Sequence, residues 1–123
     1  MAFFRALRGA GISAAKIPTI SFSITEEELG SLGAKDLVGD YAAWNYFQSL
    51  NTPQNQEFVQ HIQDRYGADR VVSDPMEAAY VAVHLWAQAV EEARTADCAE
   101  VRRHIGDQSY LGPGGMVYVD RNT

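Results

Sequence analysis

Cysteine is almost missing from this chain. Cys98 is the one thiol in 123 residues, so no disulfide closes within it, and the redox compartment is left open. Its expected role is a small helix residue or an incidental surface thiol. Basic charge is also scarce. Ten Lys and Arg face sixteen Asp and Glu, for a formal net charge of −6. That balance argues against a nucleic-acid backbone as partner, since phosphate recognition needs a basic footprint. It argues equally against an anionic membrane surface. No run of eighteen apolar residues occurs, so no membrane-inserted helix is expected. The opening residues MAFFRALRGAG are too short and too interrupted for a secretory signal.

Catalytic patterns are absent too. His61, His84 and His104 fall in no H-E-x-x-H or paired-ligand spacing, so no metal is expected. There is no G-x-S-x-G elbow and no phosphate-binding P-loop. Gly112, Gly114 and Gly115 read as turn glycines. Glu26, Glu27 and Glu28 admit acid/base work, but carboxylates in a first helical turn are commonly there for the helix dipole. No cofactor is implied, and the chain is not expected to be an enzyme.

What is present is a core. Apolar residues make up 46% of the chain and aromatics 11%, enough for one modest domain. Phe3, Phe4 and Leu7 repeat at helical spacing without an N-cap before them. Ile17 to Ser23 is a short β-rich run. Thr25 and Glu28 form a T-x-x-E capping box opening a brief helix. Leu37 to Phe47 reads as a second extended segment. Thr52 and Pro53 announce a helix, with Phe58, Val59, Ile62 and Tyr66 as its buried stripe and Gly67 as its stop. In the run from Ser73 to Glu77, Asp74 is the expected cap and Pro75 the first helical residue. The stripe of that helix is expected to be Met76, Ala79, Tyr80, Val83, Trp86, Ala87 and Val90, with Val81 and Leu85 on another side. Asp97 and Glu100 open one more helix enclosing Val101 and Ile105. Leu111 to Gly115 reads as a loop and Met116 to Asp120 as a strand. The order is α/β, helix-rich and poor in strands. The uncapped start and the strand–turn end lead to the expectation of a segment cut from a longer chain.

Several of these runs together resemble a known family. The segment from Ile17 to Ser23 followed by Thr25 to Leu29, the run Val38-Gly39-Asp40-Tyr41-Ala42-Ala43-Trp44-Asn45-Tyr46-Phe47 with Asn51-Thr52-Pro53, the helix start Asp74 to Tyr80, and Gly112-Pro113-Gly114-Gly115 with Val117 to Asn122 are similar to the substrate-binding proteins of urea and short-chain-amide ABC importers. Those proteins have the type I periplasmic-binding-protein fold, two α/β lobes closing on a small ligand. Amide sensors and branched-chain amino-acid binders share the layout more distantly. The resemblance implies a C-terminal segment: 1–38 ending the C-lobe, 39–47 crossing the hinge, and 48–123 forming part of the N-lobe. It implies a periplasmic receptor whose signal peptide is not in this chain, a small-molecule ligand (urea, a short amide or an amino acid) and an ABC permease as partner. The same motifs fit the ligand-sensing domain of an amide-responsive regulator or sensor kinase.

The resemblance carries over few site residues. Ser23 matches a strand-end hydroxyl that reaches the ligand, and a serine can both donate to and accept from an amide. It is also well placed to precede a helix as a cap. Tyr46 is expected as an aromatic wall at the hinge, although it and Trp44 equally suit the core of a buried strand. Trp44 and Thr25 complete the candidates. Uncovered apolar faces on the 75–94 helix predict self-association of the segment.

Overall fold

Residues 2–122 are described by a computed structural model, with burial defined for all of them except 30–32, 34 and 36. The first and last residues of the expected 1–38 and 48–123 ranges lie outside the described residues.

The chain opens with α1 (Ala2–Gly9), then β1 (Ile20–Ser21), α2 (Glu26–Leu32), a 3-10 turn (Ala34–Leu37) and β2 (Tyr41–Ala42). β1 and β2 pair in parallel, with Ile20 opposite Tyr41 and Ser21 opposite Ala42. A parallel pair needs a crossover, and α2 with the 3-10 turn supplies it. Phe4 and Ile24 form the buried centre of this unit, with Leu29 and Leu37 packed against them. Phe3 is 59% exposed, so only one side of α1 is buried, and the Phe3–Phe4–Leu7 repeat does not form a single buried stripe.

The extended reading of Leu37 to Phe47 needs correction. Only Tyr41 and Ala42 are strand, and Leu37 ends the 3-10 turn. The break comes at Gly39, whose φ of +93° is in the left-handed region that favours glycine, and whose added Cβ would sit 3.0 Å from that of Ala14. Asp40 then anchors the strand. Its carboxylate accepts from the Thr19 backbone N–H at 3.0 Å and pairs with the Arg8 guanidinium. One acid thus ties α1 and the entries to both strands.

The second part holds α3 (Pro53–Tyr66), α4 (Asp74–Ala93), α5 (Cys98–His104), β3 (Ser109–Gly112) and β4 (Gly115–Tyr118). Thr52 caps α3, accepting from Asn55 N–H at 3.2 Å, with Pro53 next to it. Asp97 caps α5 through the N–H groups of Ala99 and Glu100. Cys98 is exposed. Leu111 and Gly112 are strand rather than loop. β3 and β4 pair antiparallel across a two-residue turn, with Leu111 opposite Met116 and Gly112 opposite Gly115.

α4 differs from expectation in both its start and its face. Ser73 occupies the cap position and Asp74 is the first helical residue. The buried stripe is Glu77, Val81, Leu85 and Ala89, spaced four apart. Val83 is 63% and Trp86 50% exposed. The hairpin lies against the buried face at Glu77 and Val81, and α5 also packs on α4. A Cβ on Gly112 would come within 2.7 Å of Val81 Cγ2. Glu77 is buried on that face because its carboxylate accepts the Gly114 N–H at 3.1 Å, which partners the charge. The second core centres on Tyr46, Phe58 and Val72, with Leu50, Ile62 and Met76 around them.

Candidate functional site

The candidate site is built where β1 and β2 end. Parallel strands deliver their following loops to the same side of the sheet, which in open α/β sheets is the usual place for a ligand. The loop after β1 runs from Phe22 to Thr25, and the segment after β2 runs from Ala43 to Leu50.

Ser21 shapes the first loop. Its buried hydroxyl oxygen accepts the backbone N–H groups of Ser23 at 3.2 Å and Ile24 at 3.1 Å. This turn leaves Ser23 exposed, and its hydroxyl has no protein partner among the described residues. Thr25 begins α2, and Glu28 accepts from its backbone N–H at 2.5 Å and from its hydroxyl at 2.9 Å. The Thr25 side chain is therefore engaged in the cap. It also lines a cavity of about 260 Å³ beside Ser21, Glu26 and Asp40. Ser23, Trp44 and Tyr46 lie outside that cavity.

Trp44 joins the two loops. Its indole N–H donates to the Ile24 carbonyl at 2.8 Å, two loops held by one side chain. Tyr46 goes inward. It is 1% exposed, its hydroxyl donates to Asn55 Oδ1 at 2.6 Å, and its ring meets Phe58 edge-on at 6.2 Å. Burial first, then the negative charges of Glu26 and Glu77, push its phenol well above the ordinary value. The structure thus brings Ser23, Thr25 and Trp44 to one end of the strand pair and commits the Tyr46 side chain to the interior.

The three glutamates have separate duties. Glu26 accepts the Gln48 N–H at 2.8 Å, Glu27 pairs with Arg70 at 3.1 Å on the surface, and Glu28 completes the capping box. The first two tie α2 to later parts of the chain.

Sequence reasoning missed Asn55 and Gln48, and read Asp74 only as a helix cap. Asn55 is 2% exposed and donates to the carbonyls of Gln48 at 2.8 Å and Leu50 at 2.7 Å while accepting from Tyr46. Gln48 accepts from the Val72 N–H at 2.6 Å. Asp74 accepts the Tyr46 N–H at 2.9 Å. Nothing in the pattern around Asn55 marks it as an organiser, because its partners lie in an irregular segment. The buried face of α4, Glu77, Val81, Leu85 and Ala89, was missed as well, since the expected stripe ran through Met76, Tyr80, Val83 and Trp86.

Among the described residues, no group of three His, Cys, Asp or Glu is placed to hold a metal ion. Among them too, no helix is long and apolar enough to cross a membrane.

Paired parallel strands and a helix-rich frame define an α/β module. Residues 1–123 match the periplasmic binding protein domain family, so the chain belongs to that family. The chain is also similar to a limonene hydroxylase of Geobacillus stearothermophilus, at 31% identity over 91 residues. That match covers 74% of this chain and 17% of the relative, so the chain spans a small part of that protein's length.

Proposed function

We propose that this chain supplies one wall of the cleft of a receptor for urea or a short-chain amide, without performing chemistry. In this reading residues 1–38 end one lobe, 39–47 cross the hinge, and 48–123 belong to the other lobe. The receptor is periplasmic and hands its ligand to an ABC permease. The observation that carries the reading is Ser23. It stands exposed at the strand end, held there by Ser21 beneath it, with a hydroxyl open to a ligand. An amide or urea offers both an N–H and a carbonyl, and a serine hydroxyl can answer either. Trp44 holds the neighbouring loop at a fixed distance, and Thr25 lies behind it as part of the cap.

One wall holds a small polar ligand poorly, because each polar group of the ligand must find a partner when water leaves. Calorimetric titration of acetamide into the 123-residue chain and into the longer receptor carrying it tests this. The expected result is weak or no binding by the chain and saturable binding by the longer protein. Tight, stoichiometric binding by the chain alone overturns the one-wall reading.

A further inference from the structure

A second polar cavity lies away from the strand ends, between α3, α4 and β3. Its volume is about 210 Å³, and Gln54, Glu57, Phe58, Tyr80, Tyr110 and Pro113 line it. No lysine or arginine is among its lining residues. Glu57 and Gln54 have no hydrogen-bond or ion-pair partner among the described residues. Burial first, then the Tyr80 hydroxyl, raise the pKa of the Tyr110 phenol, and the Glu57 charge adds in the same direction.

The aromatic walls are held firmly. Tyr80 meets Phe58 with ring centroids 4.7 Å apart. The Tyr110 hydroxyl donates to the Tyr80 hydroxyl at 3.4 Å. His84 stacks on Tyr110 at 4.5 Å with planes 7° apart, and meets Tyr80 edge-on at 4.5 Å. These contacts fix ring orientation before any ligand arrives, which lowers the ordering cost of binding.

We propose that this cavity binds a small organic ammonium ion. The exposed Glu57 carboxylate at the edge of the cavity supplies the charge partner, and the aromatic walls supply apolar contact for a short alkyl stem. The Gln54 carbonyl and the Tyr80 oxygen can accept ammonium N–H groups. The volume matches a short alkylamine. The site shares no residue with the loops after β1 and β2, so it stands independently of the cleft-wall reading.

The test uses n-propylammonium and its uncharged counterpart n-propanol, titrated into the 123-residue chain and followed by the ring resonances of Tyr80 and Tyr110. The ammonium is expected to give saturable shifts at these rings, with the alcohol at least about tenfold weaker. Glu57→Gln, a change on an exposed helix face, is expected to weaken the ammonium about tenfold with the helical circular dichroism unchanged. Equal responses to both probes, no saturable shift, shifts mapping elsewhere, or an unaltered Glu57→Gln variant each overturn the proposal.

Discussion

The Tyr46 hydroxyl donates to Asn55 Oδ1 at 2.6 Å, and this bond fastens the irregular segment after β2 to the first turn of α3. Asn55 spends its whole amide there: one acceptor on Tyr46 and two donations to the carbonyls of Gln48 and Leu50. An irregular chain segment can be buried only if its polar groups are answered, and this one side chain answers three. Tyr46→Phe keeps the ring in the core and strips one bond from a buried amide. The expected loss is about 1–2 kcal/mol of unfolding free energy, read from denaturant titration. An unchanged midpoint would contradict the role given to this bond.

The phenols of Tyr46 and Tyr110 predict how stability responds to alkali. Burial is the leading cause of both shifts, and Tyr110 is pushed up to about 12, from an ordinary value of 10.0. A raised folded-state pKa means that the unfolded chain ionises first as pH rises. Stability from these groups is therefore intact below pH 10.0 and declines above it. Thermal melts from pH 8 to about 11 should show a falling melting temperature, and the Tyr46→Phe, Tyr110→Phe double variant a shallower fall. Parallel curves for the two proteins would count against it.

Gly112 tests the seating of the hairpin on α4. A methyl there would lie 2.7 Å from Val81 Cγ2 and 3.4 Å from Glu77 Oε1. Neither can retreat far, since Val81 is 4% exposed and Glu77 holds Gly114. Gly112→Ala is expected to cost about 1–3 kcal/mol and to raise amide exchange in β3 and β4. Wild-type stability with unchanged exchange would mean the hairpin does not rest on α4.

Apolar surface on both parts predicts self-association of the isolated chain. Ile20 is 53%, Phe22 69% and Tyr41 66% exposed around the strand pair, and Trp86 is 50% exposed on α4. Faces of this kind usually meet a partner. Light scattering across a concentration series is expected to give a rising apparent mass. A monomer throughout the series would contradict the prediction.

Local signals were legible in the sequence, and distant ones were not. The caps at Thr25, Thr52 and Asp97 were readable because a cap is set within four residues. The α/β class was readable from the alternation of periodic and β-rich runs. The face of α4 was misjudged because Glu77 is charged, and a charge usually marks solvent. Here the Gly114 amide, 37 positions away, makes its burial tolerable. The extent of β2 was overestimated because aromatic content suggested strand, while Gly39 and the hydrogen bonds of Asn55 impose irregular backbone on either side. At the candidate site, Ser23 was singled out by the resemblance alone; the β-rich run was read through Ser23, whereas β1 ends at Ser21 and Ser23 lies in the loop after it. The inward turn of Tyr46 was not legible, because it depends on Asn55 and Asp74.

The central claim is that the exposed strand-end hydroxyl of Ser23 meets the solute. The most direct measurement is acetamide affinity of the proposed longer receptor with Ser23 and with Ser23→Ala, alongside the melting temperature of each without ligand. One lost hydrogen bond predicts affinity weakened roughly three- to tenfold with the melting temperature held, since Ser23 is exposed. Equal affinity in the two proteins would contradict the claim.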